Sequence, residues 1–398
     1  MTANTGSSPD MAFPFGALLA LAAVVFVGCL TETLPAGVLI KMSADLHVPV
    51  SQAGQSVTVY ALATAMTSMP LTMLTRHVPR RALLLSLVVG FAVANATTAV
   101  SPAYGVVLVA RLVAGAVAGV MWAMIPGYAM RMARGPSAGR ALAVAMMGTP
   151  LGFAVGMPAG TALGDLVGWR WCFAVVAAVA AALLGWVLWR VPALPGGGVG
   201  RRPSVRTVFA VPGFAAVLMA TLFFVLGHNV LYTYLGPVLA QADRAEPLGS
   251  VLLVFGVFSV LGVVVAGTTI DRWLWPLALV STAAFGGAAM VIGSVVDRSP
   301  LLLVAAALWG TAFGGAPTVF PAATARIANE GSDIAQSLTI AVWNLAIAGG
   351  AFLGGFALEL AGNAAVLPWL AVVLAAGALV VIVVSRRSGF PEEGGTDH

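Results

Sequence analysis

Residues 14–40 read PFGALLALAAVVFVGCLTETLPAGVLI, an apolar stretch whose one formal charge is the carboxylate of Glu32. A helix needs about 20 apolar residues to cross a bilayer, so this stretch predicts a transmembrane helix. Another apolar stretch, residues 104–128, also contains a single formal charge, Arg111. Ionisable side chains inside a membrane are costly and by default mark a functional site. The two charges therefore indicate a protein that works within the bilayer, and they favour transport.

The rest of the chain repeats this apolar pattern. The sequence is 60% hydrophobic and 8% charged, which predicts an all-α integral membrane protein with twelve transmembrane helices. No segment between the helices is long enough to fold as a soluble catalytic domain. The predicted helices, called spans 1 to 12, cover residues 14–40, 53–75, 82–100, 104–128, 139–163, 171–190, 210–239, 249–270, 276–296, 301–323, 335–360 and 363–385.

A polar segment divides these helices into two groups of six. Residues 190–206 read RVPALPGGGVGRRPSVR, which is rich in Pro, Gly and Arg and has no apolar run. We therefore predict an N-terminal half at residues 1–190, a cytoplasmic linker at 191–207, a C-terminal half at 208–386 and a cytoplasmic tail at 387–398.

The two halves carry similar sequence patterns, which indicates an internal repeat. In transporters, parallel repeats of this kind place a binding site between the halves near mid-membrane. The predicted correspondences are Val38 with Val238, Gly115 with Gly310, Gly119 with Gly314, and Gly160 with Gly355.

The distribution of Lys and Arg orients the chain, because these residues accumulate in short cytoplasmic loops. With both termini in the cytoplasm, 14 of the 19 Lys and Arg residues lie on the cytoplasmic side, four lie outside, and Arg111 remains in the membrane. The excess of Arg, Ala, Gly and Val is typical of a GC-rich bacterial genome. We therefore predict a multi-pass protein of a bacterial cytoplasmic (inner) membrane. The net charge of +5 then follows from topology and does not indicate nucleic-acid binding.

Glu32 and Arg111 share a depth in the predicted helices. At 1.5 Å per residue, both lie about 11 Å below the outer surface. If they approach in one conformation and separate in another, Glu32 would release a proton in the first and bind one in the second. A purely structural ion pair is the alternative, although buried pairs contribute little net stability.

Further polar and aromatic residues are candidates for substrate or proton binding. His228 and Tyr232 share a helix face in span 7, with Asn229 beside them. Trp122 lies about 20° around span 4 from Arg111 and could line a cavity. Asn344 of span 11 is a further candidate. Simpler interpretations remain open, namely a polar helix contact for His228, lipid or core packing for Trp122 and a packing hydrogen bond for Asn344.

Span 5 has a glycine at every fourth position. These residues form a stripe without side chains, which lets another helix approach closely. Tight packing and a flexible contact on which the halves move are both consistent with this pattern. Pro158 within it favours bending of the helix. The stripe consists of Gly148, Gly152, Gly156 and Gly160.

Several longer motifs point to one family. They are TETLPAGVLIKMSADLHVPVSQAG at 31–54, an RxxxGxxxG pattern from Arg111, GTPLGFAVGMPAG at 148–160 and GTTIDR at 267–272. With these motifs the chain resembles the major facilitator superfamily over essentially its whole length. It is most similar to the twelve-span drug:proton antiporters, the group with sugar-efflux and chloramphenicol-efflux permeases.

The resemblance implies that a repeated loop motif helps to fix the conformations. The second copy is intact, with Gly267, Asp271 and Arg272. In the first copy, MLTRHVPRR at 73–81, Arg76 stands where the family has Asp, so the role of that acidic residue cannot be transferred to this half. The basic residues of the first copy remain as Arg80 and Arg81.

The resemblance also implies a fold and an activity. In the family, helices 1, 4, 7 and 10 line a central cavity, across which Glu32 and Arg111 could meet directly or through water. The implied activity is proton-coupled export of small, mostly apolar compounds such as drugs or antibiotics. A monomer would work by alternating access, with the proton gradient as energy source and no cofactor.

Two other functions are considered. Export of a sugar or other polar metabolite is the nearer alternative, although few hydroxyl-binding residues can be placed in the cavity. An intramembrane enzyme is more distant, because the sequence has neither HExxH nor a plausible nucleophile and base pair. Cys29 and Cys172 lack the spacing of metal ligands and are expected to be packing residues.

Overall fold

In a computed structural model, the described residues are 13–133, 137–196, 209–241, 248–295, 299–328 and 332–390. Every regular element in these ranges is helical, and eleven helices are long and apolar enough to cross a membrane. The helices of the N-terminal half are Phe15–Gly37, Leu39–Asp45, Val50–Leu74, Arg80–Val100, Tyr104–Met132, Ala138–Met146, Gly148–Leu151, the π-helix Gly152–Gly156, Met157–Val167 and Trp169–Arg190.

The C-terminal half has the same arrangement of long helices. Spans 8 and 9 form one continuous run that is kinked at Trp273, where the backbone leaves helical geometry with φ −126° and ψ 33°. The helices of this half are Phe214–Thr233, Leu235–Leu239, Leu248–Val295, Ser299–Ala328, Ser332–Ala361, Val366–Val384 and Arg386–Gly389.

Span 2 is the predicted helix that is not among these eleven. It forms a continuous 25-residue helix, Val50–Leu74, that contains several Ser, Thr and Gln residues. It packs against span 4 of its own half and against span 11 of the other half. The twelve predicted stretches are therefore helical, and the place of span 2 in the bundle explains its polarity.

The first residues of the predicted linker belong to the N-terminal half. The backbone N–H of Arg80 donates to the carbonyl of Leu194 at 2.8 Å, and the Tyr128 hydroxyl donates to the carbonyl of Pro192 at 2.6 Å. These bonds fix the chain beside spans 3 and 4. Residues 197–207 of the predicted linker and 391–398 of the predicted tail lie outside the described residues.

Equivalent glycine contacts reveal the internal repeat. A β-carbon at Gly115 would overlap the Tyr60 carbonyl, which joins span 4 to span 2. A β-carbon at Gly310 would overlap the Phe255 carbonyl, which joins span 10 to span 8 in the same way. The predicted pair Gly119 and Gly314 makes the next contacts along the same helix pairs. The close approach of backbones explains why only glycine fits here.

The predicted register of spans 1 and 7 differs from the observed one. The helix of span 1 breaks at Val38, and the helix of span 7 breaks at Tyr234, not at Val238. Each break is followed by a short helix, Leu39–Asp45 or Leu235–Leu239. The residue pair Val-Leu occurs in both segments, but at different distances from the backbone break. The breaks, and not the shared pair, define the repeat.

The two halves meet through spans 2 and 11 and through spans 5 and 8. We call the end of the bundle near Phe15 and Arg190 the terminal face and the opposite end the distal face. Near the distal face, the Ser51 hydroxyl donates to a carboxylate oxygen of Glu359 across the two halves. A β-carbon at Gly54 would overlap the Tyr234 side chain, so the helices also touch closely there. The halves are therefore in contact toward the distal face.

Candidate functional site

Arg111 is bound to the backbone of spans 1 and 2. Its guanidinium donates to the carbonyl of Thr31, to the carbonyl of Glu32 at 3.2 Å and to the carbonyl of Ser56 at 3.3 Å. It also lies over the Tyr60 ring, 4.5 Å from the centroid, and the whole residue is 1% exposed. Five directed donors make arginine suited to holding several carbonyl groups at once.

A proline explains why span 1 has a carbonyl to offer. In a helix, the carbonyl of Thr31 would accept the N–H of the residue four positions later, but that residue is Pro35, which has none. The freed carbonyl of Thr31 accepts from Arg111 instead. The acidic-plus-proline motif of span 1 and the arginine of span 4 thus form one structural unit.

The Glu32 carboxylate does not form an ion pair with Arg111. In the described part of the chain, the ion pairs are Lys41 with Asp165 and Arg170 with Asp45, both near the distal face. The hydrogen bond from Arg111 to the Glu32 carbonyl shows that the two residues share a depth, as predicted. The predicted meeting of the two charges is replaced, in this conformation, by a contact with the backbone.

Glu32 lines a small cavity between the halves. The cavity volume is about 20 Å³, which is room for about one water molecule. Spans 1, 2, 7 and 11 contribute its walls. The lining residues are Glu32, Thr33, Ala36, Val57, Asn229, Tyr232, Thr233 and Ile347.

Two hydroxyl groups at this cavity have no hydrogen-bond partner among the described residues. They belong to Tyr232, which is 4% exposed, and Thr233, which is 1% exposed. Buried polar groups are nearly always paired, so unpaired ones need an explanation. Together with the Glu32 carboxylate, they give the cavity a polar lining able to bind a proton, water or a polar group of a substrate.

The three predicted residues of span 7 separate into two environments. His228 and Tyr232 share a face, as predicted, with ring centroids 5.2 Å apart. Asn229 lines the Glu32 cavity and donates to the carbonyl of Val225 at 2.9 Å. His228 does not line that cavity. It accepts a hydrogen bond at Nδ1 from the Trp309 indole at 3.0 Å, so its neutral form carries the proton on Nε2.

Two other predicted residues lie away from the cavity. Asn344 donates to the carbonyl of Ile340 in its own helix at 3.0 Å, which corresponds to the packing hydrogen bond considered from the sequence. Trp122 is half-buried and packs against the hydrophobic core. Neither residue contributes to the lining around Glu32.

The glycine stripe of span 5 faces span 1 within the N-terminal half. A β-carbon at Gly148 would overlap the Ala22 carbonyl. The other glycines contact span 1 side chains in order, with Gly152 against Cys29, Gly156 against Leu30 and Gly160 against Leu34. Pro158 is buried in the same helix. In this conformation the stripe is a packing contact inside one half and does not lie between the halves.

The loop motifs lie at the terminal face. Gly267 has open space around its Cα, and Arg272 is exposed. The side chain of Asp271 lies outside the described part of the structure. In the first copy, Arg80 and Arg81 begin the helix of span 3. The kink at Trp273 follows the second copy directly, so this motif marks the break between spans 8 and 9.

Sequence reasoning missed three participants of the site. Pro35 was noted within its motif, but its spacing of four residues from Thr31 already indicated a freed carbonyl. Thr233 follows Asn229 by four residues and therefore shares its face. Glu359 is exposed, but its carboxylate accepts a hydrogen bond from Ser51 of the other half. That long-range contact had no signal in the sequence.

Comparisons with known proteins agree with this architecture. The sequence model of the Major Facilitator Superfamily matches residues 21–334. The D-xylose-proton symporter has the same fold, with a TM-score of 0.79 over 97% of this chain and 100% of that chain at 15% identity.

Three relatives of similar length are known by name. A chloramphenicol efflux pump of Mycobacterium tuberculosis is 30% identical over 90% of this chain and 91% of that protein. A probable sugar efflux transporter of Mannheimia succiniciproducens is 26% identical, covering 87% and 88%. A Pseudomonas aeruginosa protein named transcription regulatory protein OpdE is 29% identical, covering 97% of both chains.

These matches extend over most of the chain and confirm the resemblance to the efflux permeases. They identify a multi-pass membrane transporter and exclude the intramembrane enzyme considered from the sequence. The chain belongs to the major facilitator superfamily.

Proposed function

We propose that this protein is a proton-coupled exporter of small, mostly apolar compounds that works by alternating access. The observation that carries the proposal is the Glu32 carboxylate, which lines a small cavity between the halves and has no ion-pair partner among the described residues. A carboxylate in such a place can bind and release a proton as the cavity opens to one face or the other.

The contacts around Arg111 suggest different roles for Arg111 and Glu32. Arg111 holds the carbonyls of Thr31 and Glu32 and so fixes the backbone of span 1 at the proline. The Glu32 side chain is thereby directed toward Asn229 and Tyr232 of the other half. We therefore assign proton exchange to Glu32 and positioning to Arg111, without a switch that brings the two charges into direct contact.

The way in which the halves touch supports alternating access. Contacts such as Ser51 with Glu359 close the bundle toward the distal face. If the terminal face is cytoplasmic, as the Lys and Arg distribution predicts, this conformation closes the outer side. Separation of the halves there would expose Glu32 and the substrate to the outside. The membrane would be a bacterial cytoplasmic membrane, the working unit a monomer, and the proton gradient the energy source.

The substrate class rests on the character of the surroundings. Aromatic side chains pack against Tyr232 beside the polar lining of the cavity, and two relatives are named for chloramphenicol efflux. Export of a sugar or polar metabolite is the second candidate. It is supported by the free hydroxyls of Tyr232 and Thr233 and by relatives named as probable sugar efflux transporters.

Reconstituted protein provides the test. In proteoliposomes with a pH-sensitive dye inside, we expect chloramphenicol or another transported compound to drive proton flux in the opposite direction. Glu32→Gln keeps the shape of the side chain but cannot titrate, and it should abolish this coupled flux. The matched control is Asp165→Asn, which removes an exposed carboxylate paired with Lys41. Coupled flux by Glu32→Gln at the wild-type rate would exclude Glu32 as the proton carrier.

A further inference from the structure

The C-terminal half contains a cluster of aromatic side chains beside the Glu32 cavity. His228 stacks on Phe313 with centroids 3.7 Å apart and planes at 11°. Phe255 packs against Trp309, with centroids 4.8 Å apart. Tyr232 contacts both His228 and Phe255 and also lines the cavity. We call His228, Tyr232, Phe255, Trp309 and Phe313 the aromatic pocket.

One ring of the N-terminal half enters this pocket. Phe153 of span 5 lies edge-on to Tyr232 at 6.0 Å, to Phe255 at 6.1 Å and to Phe313 at 5.6 Å, with interplanar angles of 75°, 69° and 70°. These are favourable edge-to-face arrangements. Phe153 is therefore surrounded by three rings from the opposite half and is the aromatic contact between the halves at this level.

The backbone delivers Phe153 to that position. The residue lies on the π-helix Gly152–Gly156, and such turns displace side chains from the ordinary helical register. On span 8, Gly256 lets the backbone approach so closely that a β-carbon there would overlap the Phe153 carbonyl. A ring is thus inserted into the other half at a contact that must separate when the halves move apart.

We propose that the aromatic pocket is a substrate subsite for an aromatic ring, and that Phe153 fills it while the halves are closed. This inference rests on the proposed export function. When the halves separate, Phe153 leaves, and the exposed faces and edges of Tyr232, Phe255 and Phe313 accept the ring of a substrate. The unpaired hydroxyl of Tyr232 provides a polar partner at the border between this pocket and Glu32. Substrates would therefore carry an aromatic ring next to a polar group.

Competition between Phe153 and the substrate makes the proposal testable. The probes are chloramphenicol, which has a nitrophenyl ring, and its analogue with a saturated cyclohexyl ring. Binding to the purified full-length protein is followed by equilibrium dialysis and, independently, by quenching of the tryptophan fluorescence, to which Trp309 of the pocket contributes. Subtraction of the signal of Trp309→Phe identifies the contribution from the pocket.

Three substitutions give an ordered expectation. Phe153→Leu removes the competing ring and should tighten chloramphenicol binding about tenfold, the equivalent of one to two edge-to-face contacts. Phe153→Trp inserts a larger ring and should weaken it. Phe313→Leu removes a pocket wall and should also weaken it. Phe173→Leu, a buried ring of the N-terminal half that contacts Trp169, is the matched control and should leave affinity unchanged.

Each possible outcome supports or overturns the proposal. Tighter binding of chloramphenicol by Phe153→Leu, with a smaller gain for the cyclohexyl analogue, supports it, whereas an equal gain for both probes overturns the preference for an aromatic ring. Unchanged or weaker binding by Phe153→Leu overturns it, as does a lack of chloramphenicol binding by all variants. Proton-coupled transport measured on the same proteins separates the two proposals, because the aromatic subsite can fail while coupled export through Glu32 persists.

Discussion

The unit formed by Pro35, Thr31 and Arg111 predicts a measurable coupling between a proline in span 1 and an arginine in span 4. Arg111→Met should leave the carbonyls of Thr31, Glu32 and Ser56 without their donor. Hydrogen bonds from charged groups contribute about 1.5–3 kcal/mol each, although those measured between membrane helices average only about 0.6 kcal/mol. We expect Arg111→Met alone to destabilise the protein by about 2–4 kcal/mol.

Pro35→Ala restores an N–H that can pair with the Thr31 carbonyl inside the helix. In that background, Arg111→Met leaves one fewer carbonyl unpaired, so its cost should fall by about 1–2 kcal/mol. A double-mutant cycle measures this coupling directly, with unfolding in mixed detergent micelles followed by tryptophan fluorescence. Pro126→Ala is the control, since Pro126 lies in the helix of Arg111 but about 22 Å along it, at 1.5 Å per residue.

The result that would refute this reasoning is additivity. If the costs of Pro35→Ala and Arg111→Met add to within about 0.5 kcal/mol, the arginine does not compensate for the proline. Coupling of Arg111→Met to Pro126→Ala of the same size would show a general change in the helix of span 4. Either result would return Arg111 to the role first expected from the sequence, as the direct partner of the Glu32 charge.

Two further predictions concern the repeat and the cavity. Gly115→Ala should lower stability by about 1–3 kcal/mol, because its β-carbon meets the Tyr60 carbonyl. Gly127→Ala is the control and should change stability by no more than about 1 kcal/mol in either direction, since nothing lies within 4 Å of its β-carbon position. Equal effects of the two substitutions in the same detergent unfolding assay would contradict the proposed close contact. Thr233→Val removes a hydroxyl that has no partner among the described residues. It should leave stability within about 0.5 kcal/mol of wild type while changing the KM of transport in proteoliposomes. A large loss of stability with unchanged KM would mean that the hydroxyl is only structural.

Much of the fold could be predicted from the sequence, because the bilayer imposes a strong rule on apolar length. Spans such as 82–100 and 171–190 correspond closely to the helices Arg80–Val100 and Trp169–Arg190. The glycine correspondence of spans 4 and 10 was also found, since close helix contacts tolerate only small residues. The register of spans 1 and 7 was wrong, because shared side chains at a helix break say little about where the backbone breaks.

The site was less predictable, because its contacts depend on which helix faces which. Glu32 and Arg111 stood out by their charge alone. The partners of Arg111 are backbone carbonyls, however, and side-chain types in a sequence do not indicate directly which carbonyls will be bound. The stripe from Gly148 to Gly160 correctly indicated close packing of span 5, but its partner, span 1, could not be identified from spacing. Phe153 sits inside the same motif and faces the other way, toward span 8.

The repeat also shows what the two halves do not share. The offset that relates Gly115 to Gly310 relates Tyr60 to Phe255 and Arg111 to Ala306, so the C-terminal half has an aromatic ring at the first of these positions but no guanidinium at the second. Span 7 also has no counterpart of Pro35 in its helix Phe214–Thr233, so no carbonyl is freed by a proline there for a cation to bind. Its helix breaks at Tyr234, whose hydroxyl donates to the Ala351 carbonyl at 2.8 Å. Without a buried cation to accommodate, the C-terminal half can fill the equivalent space with rings.

Under the proposed function, the N-terminal half would then supply the proton site and the C-terminal half the apolar substrate site. The proton site and the substrate site meet at Tyr232, on the interface between the halves. Movement of one half against the other would therefore change both sites together, which is the condition for coupling proton entry to substrate exit.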